Sequence, residues 1–122
     1  MISIIIINYN VSNFLINSLN SISKSLSTPP FEVIIVDNNS TENVNIQEKI
    51  NQFDMDIKLY QFNQNKGFAK AVNYALDKSI GETILLLNPD TYVNSNSISS
   101  MYNYLNNNDN VGIVGCKVLY PN

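Results

Sequence analysis

Ile84-Leu85-Leu86-Leu87-Asn88-Pro89-Asp90-Thr91 reads as an apolar strand that stops abruptly at Asn88-Pro89. Asp90 falls just past the carboxyl end of that strand. In an open α/β sheet, ligands bind beyond those ends. A carboxylate fixed there by a rigid strand suits a hard divalent cation, the kind that neutralises a diphosphate.

Outward from this stretch, strand-like and helix-like segments alternate. Residues 2–7 form a β-branched run of the kind buried on both faces. Residues 11–26 carry Val11, Phe14, Leu15, Leu19, Ile22 and Leu26 at helical spacing, with Ser12 or Asn10 as a cap. Thr28-Pro29-Pro30 breaks that helix. Residues 31–36 are a second strand and 57–62 a third. Between them Thr41 offers a cap for a helix over 42–53, weakly patterned. Residues 67–79 place Phe68, Ala71, Val72, Ala75 and Leu76 on one helical face. Residues 83–87 form the fourth strand, 97–105 a helix, and 111–119 a fifth strand. Strands separated by such helices predict βαβ units and a mostly parallel sheet with right-handed crossovers. The expected fold is α/β, a three-layer α/β/α Rossmann-like arrangement. Residues 1–122 form a single, partial domain. The ending at Pro121-Asn122, directly after a strand, predicts a sheet truncated at its C-terminal side.

The 122 residues suffice for one compact domain, and 44% hydrophobic content is ordinary for one. Seven Lys+Arg against ten Asp+Glu give a net charge of −3. All the cations are Lys, and there is no His. Ser-His-Asp and Cys-His catalysis cannot be built from this chain. Neither can a His-ligated zinc site. An acidic chain without Arg predicts no nucleic-acid partner. Cys116 is the only cysteine, so no intrachain disulfide forms. The apolar run at residues 4–7 is far shorter than the ~20 residues of a membrane span. These features predict a cytoplasmic protein. Asparagine is over-represented, most visibly at residues 106–108, but it is interspersed with well-patterned segments.

Polar clusters recur where strands end: Asn8-Tyr9-Asn10, Asp37-Asn38-Asn39-Ser40, Asn63-Gln64-Asn65-Lys66-Gly67 and Asn88-Pro89-Asp90-Thr91. In a parallel sheet all four share one edge and can converge on one ligand. Each also has a structural reading. Tyr9 covers a helix end or stacks on a planar base. Asp37 caps a turn or contacts a ligand. Gly67 serves a tight turn, or lets backbone approach an anion at a helix N-terminus. Lys66 is a solvated charge or attracts phosphate. Asn73, polar within an apolar helix, suggests an inward hydrogen bond. Asp90 caps a helix or, better suited to its place, binds a metal. No G-x-x-x-x-G-K-[ST] and no G-x-G-x-x-G is present. A diphosphate would then need its charge balanced by Mg²⁺ or Mn²⁺.

Together these residues resemble the family 2 glycosyltransferases of the GT-A fold, in particular the rhamnosyltransferase-like branch. The matching stretches are Ile5-Ile6-Ile7-Asn8-Tyr9-Asn10, Val33-Ile34-Ile35-Val36-Asp37-Asn38-Asn39-Ser40, Asn65-Lys66-Gly67-Phe68-Ala69 with Asn73, Leu86-Leu87-Asn88-Pro89-Asp90 and Val111-Gly112-Ile113-Val114-Gly115. The resemblance implies that Tyr9 packs on the nucleobase. It implies that Asp37 and Asn38 read a uracil or thymine edge, and that Asn65, Gly67 and Asn73 line the nucleotide pocket. Asn88 stands at the first position of the family's Asp-x-Asp motif and faces the ribose. Asp90 takes the metal that bridges the donor diphosphate. The implied donor is a UDP- or dTDP-sugar, and the implied reaction is inverting transfer to an acceptor hydroxyl. Glycans and lipid-linked sugars are the implied acceptors. The family's general base has no counterpart here, so the segment alone is expected to be inert.

Two rival classes remain. A sugar nucleotidyltransferase wants a Gly-rich basic loop after its first strand, where this chain has Asn8-Tyr9-Asn10-Val11. A non-catalytic α/β module of the receiver type wants an acidic pair there. An open sheet edge predicts a homodimer through the C-terminal strand region. The inner face of the membrane is a further expected location.

Overall fold

A computed structural model describes residues 1–120. Its four strands are β1 (Ile2–Asn8), β2 (Phe31–Asp37), β3 (Ile57–Gln61) and β4 (Thr83–Leu86). They form one sheet in the order β3-β2-β1-β4, and every pairing is parallel. The helices are α1 (Ser12–Ser23), α2 (Ile46–Ile50), α3 (Phe68–Lys78) and α4 (Ser97–Asn106).

The β-branched runs explain the layering. Successive side chains of a strand point to opposite faces. Ile2, Ile4 and Ile6 of β1, with Val33 and Ile35 of β2, therefore meet Leu15, Leu19 and Ile22 of α1, Ile46 and Ile50 of α2 and Ile98 of α4. Ile5, Ile7, Ile34 and Val36 face the other way, onto Ala71 and Ala75 of α3. Each fully buried Ile contributes roughly 1.5–3 kcal/mol. The small alanines let α3 lie close across β1 and β2. The result is the expected three-layer α/β/α fold.

Chain order fixes where the sheet reverses. From β1 the chain moves outward through β2 to β3, with α1 and α2 on one face. It then crosses beneath on α3 and returns on the far side of β1 as β4. Keeping each crossover right-handed requires that change of face. The crevice between β1 and β4 is thus the topological switch point.

Several expected boundaries shift. α1 stops at Ser23, because the following residues leave the helix and Ser27 takes a left-handed φ of 53°. Neither Ser12 nor Asn10 caps α1, whose N-cap is Val11. α2 is only five residues long and is capped by Asn45, which accepts from Glu48 N, rather than by Thr41.

The expected fifth strand over residues 111–119 does not form. Beyond a turn closed by Val111 N–H on the Asn108 carbonyl, Ile113, Val118, Leu119 and Tyr120 are exposed. The segment has β-prone residues, but it makes no ladder with the free edge of β4. Propensity alone does not hold a strand without a partner. Pro121 and Asn122, on which the expected truncation turned, lie outside the described residues.

Candidate functional site

Parallel pairing puts the carboxyl ends of all four strands on one edge. Asn8 pairs with Asp37, and Asp37 with Gln61. Leu87 N–H continues the β4 ladder onto the Ile5 carbonyl. The four polar clusters therefore do share a rim.

Asn8 and Asp37 form its buried centre, at 0% and 4% exposure. Asn8 Nδ2 donates to Asp37 Oδ1 at 2.8 Å and to Ser12 Oγ at 3.2 Å. The Ser40 hydroxyl donates to Asp37 Oδ1 at 2.6 Å, and Ser40 N–H donates to Oδ2 at 3.0 Å. The Asp37 orientation forces the Asn8 amide, since a flipped amide would set oxygen against carboxylate. Asn8 Oδ1 consequently stays buried without a partner.

The first two rim loops are sewn together. Asn10, in a left-handed conformation (φ 56°) that asparagine tolerates, accepts from Thr41 N–H at 2.7 Å. Asn10 N–H donates to Ser40 Oγ at 2.9 Å. Glu42 does what no residue of α1 does: its carboxylate accepts from Ser12 N–H, 3.3 Å from each oxygen, and from the Ser12 hydroxyl. Tyr9, between these anchors, is about half exposed.

The third loop hangs from Asn38. Its Oδ1 accepts from Lys66 N–H at 2.8 Å, and among the described residues its Nδ2 has no protein acceptor. Asn65 Oδ1 accepts from Gly67 N–H at 2.9 Å. Gly67 has φ 82° and ψ 166°, a region essentially reserved for glycine. An added Cβ there would meet nothing within 4 Å, so conformation, not space, demands the glycine, and the backbone stays open to approach. Asn73 departs from expectation. It is exposed, while Ala71 and Ala75 carry the buried face of α3, so its inward role is not realised.

The fourth loop is a turn closed by Thr91 N–H on the Asn88 carbonyl at 3.2 Å. Asn88 and Asp90 are both exposed on it. Among the described residues no three of Asp, Glu or Cys gather into a cation cage. Asp90 is one open carboxylate. That donor set suits a cation that keeps its waters and arrives with a phosphate ligand, as Mg²⁺ and Mn²⁺ do.

A concavity lies elsewhere. A groove of about 350 Å³ runs beside β4, lined by Ile2, Thr83, Leu85, Ile98, Tyr102 and Ile113. Its lining is mostly apolar and includes the first residues of β1 and β4, away from the rim. We assign the chemistry to the rim, where the polar groups converge.

Sequence patterning missed Ser40, Ser12 and Glu42 as rim organisers. Ser12 and Glu42 lie thirty residues apart, and the one local hint was a first helix with no acid of its own in its first turn.

Residues 3–122 match the family model described as Glycosyl transferase family 2. The chain is 32% identical over 99 residues to the poly(ribitol-phosphate) beta-N-acetylglucosaminyltransferase TarS of Staphylococcus aureus, covering 79% of this chain and 17% of that protein. The crystal structure of S. aureus TarS 1–349 aligns with a TM-score of 0.75 at 30% identity, covering 87% of this chain and 32% of that one. Its complex with UDP aligns with a TM-score of 0.75 at 26% identity, over 93% of this chain and 38% of that one. The chain spans well under half the length of these relatives. It belongs to glycosyl transferase family 2.

Proposed function

We propose that this chain is the donor-binding part of a glycosyltransferase. It takes a UDP- or dTDP-sugar, with Mg²⁺ or Mn²⁺ at Asp90, for inverting transfer to the hydroxyl of a glycan or lipid-linked acceptor. The observation that carries the reading is the convergence of four polar loops on one rim at the switch point between β1 and β4, where open α/β sheets bind ligands. Family membership and the UDP complex of TarS support the ligand class.

The residues divide the work. Asp37 Oδ2 holds one donor and keeps room for the imide N–H of a pyrimidine. Asn38 Nδ2 faces no protein acceptor and suits the adjacent carbonyl. Tyr9 stacks on the base, Asn65 and Gly67 bound the pocket, and Asn88 meets the ribose. The cation neutralises the departing nucleoside diphosphate. Asn73 joins this set only if the ligand wraps the outer face of α3.

The combined strand-end motifs, Asn88-Pro89-Asp90 among them, support a rhamnosyltransferase-like branch. Residues 1–122 act as one domain within a larger catalytic unit that serves cell-surface polysaccharide synthesis in the cytoplasm, at the inner face of the membrane. No described helix is long and apolar enough to cross a membrane. Copies associate through the open edge of β4, where Ile84 and Leu86 are 40% and 48% exposed; a strict monomer by light scattering at high concentration counts against this.

Calorimetry tests the core of the reading. UDP and dTDP should bind with Mn²⁺ and bind much more weakly in chelator. A folded chain that binds neither nucleotide in either condition refutes it.

A further inference from the structure

We propose that Glu42 is the residue that makes diphosphate binding depend on the cation. The inference rests on the donor-site reading above and adds a determinant to it. In an α/β sheet the helix that follows the first strand points its N-terminus at the switch point, and its free amides normally receive phosphate. Here the first of those amides, Ser12 N–H, is already taken. The Glu42 carboxylate accepts from Ser12 N–H with both oxygens at 3.3 Å and from the Ser12 hydroxyl. The acid comes from the β2–α2 connection, thirty residues downstream, and α1 has no acid in its own first turn.

Its placement is fixed from both sides. The residues just before it, Ser40 and Thr41, are bound to Asn10 at 2.9 and 2.7 Å. Its partner Ser12 is bound to Asn8 at 3.2 Å. A carboxylate here takes the orphan amide and sets a negative charge on the positive end of the α1 dipole. A diphosphate that approaches the crevice meets that like charge at the start of α1. The chain has no Arg, and the Lys66 ammonium, on the loop after β3, lies over the Phe62 ring, 4.4 Å from its centroid. On the donor-site reading, the cation at Asp90 balances the diphosphate.

Glu42→Gln removes the charge and keeps an acceptor for Ser12. The intact chain is titrated with UDP in chelator and in saturating Mn²⁺, and separately with uridine. The expected result is about fivefold tighter UDP binding without metal, the size of a charge effect at a helix end. Binding in Mn²⁺ should change less than twofold, and uridine binding not at all. Glu48→Gln, an exposed acid on α2, should change none of these values. The proposal falls if Glu42→Gln leaves metal-free UDP binding unchanged, or shifts it by the same factor as binding in Mn²⁺. Loss of uridine binding marks Glu42 as a structural prop and overturns it as well. If the unaltered chain binds no UDP under either condition, the donor-site reading itself fails first.

Discussion

Strand β2 carries a buried carboxylate at each end, and the two are held in opposite ways. At the amino end, the Glu32 side chain is fully buried and accepts from Lys58 Nζ at 2.6 Å, from Ser3 Oγ and from Ile80 N–H at 2.8 Å. Every approach is filled, and an added Cβ on neighbouring Gly81 would fall 2.5 Å from Ser3 N. At the carboxyl end, Asp37 has no cationic partner among the described residues. An amide, a hydroxyl and one backbone N–H hold it, all uncharged and all from the rim loops. An ion pair closes one edge of the sheet. At the other edge the carboxylate orders loops and keeps acceptor capacity for a ligand. The same strand thus supplies a fastening at one end and, on the proposed reading, a recognition group at the other.

The largest effect that tests this contrast is at the fastening. Glu32→Ala leaves the Ile80 N–H and the Ser3 hydroxyl without their acceptor and Lys58 without its partner. Each buried group stranded costs about 1–3 kcal/mol, so a loss of about 2–3 kcal/mol in urea unfolding is expected. UDP affinity of the folded fraction should not move. A change in affinity larger than the change in stability would show that the two edges are coupled.

Next in size is Asp90→Asn. Asp90 is exposed and makes no hydrogen bond that holds the fold, so unfolding should shift by no more than about 0.5 kcal/mol. In the proposed site its carboxylate is the anionic ligand to the cation. Affinity for UDP in Mn²⁺ should fall by at least about tenfold, which is about 1.4 kcal/mol. Metal-free affinity should stay as it was. Equal losses with and without Mn²⁺ would remove the cation from Asp90 and make the residue a direct nucleotide contact.

The contrast also explains what could be read from the residues alone. The Ile-rich strands, the proline after β4 and the polar strand ends report local events, so the α/β layering and the shared rim were legible. What escaped depends on distant partners. Glu42 caps a helix thirty residues upstream, and no spacing rule links it to Ser12. Glu32 looked like one more residue of a strand, because its value lies in Lys58, Ser3 and Ile80. Asn73 was assigned inward from polarity in an apolar helix, yet Ala71 and Ala75 set the buried face. The segment after Val111 has the composition of a strand, but composition cannot supply a neighbour.

Acid sensitivity should test the Glu32 fastening most finely. Burial pushes the Glu32 carboxyl upward, but hydrogen bonds from Lys58, the Ser3 hydroxyl and Ile80 N–H outweigh it and hold the group below its ordinary 4.5. A carboxylate depressed on folding stabilises the native state above its unfolded value, and the contribution disappears as pH falls through 4.5 and below the folded value. Lys58 moves the other way. Its hydrogen bond to Glu32 raises it above 10.5, so its share is complete below that pH and fades only above it. Thermal unfolding followed downward from pH 6 should therefore show a loss of stability below about pH 4.5 that is weaker in Glu32→Gln. The loss should be smaller than that of Glu32→Ala at neutral pH, because a protonated carboxyl still fills its space and still accepts from Ile80 N–H. A Glu32→Gln chain with an unchanged acid limb would place the acid-sensitive group elsewhere.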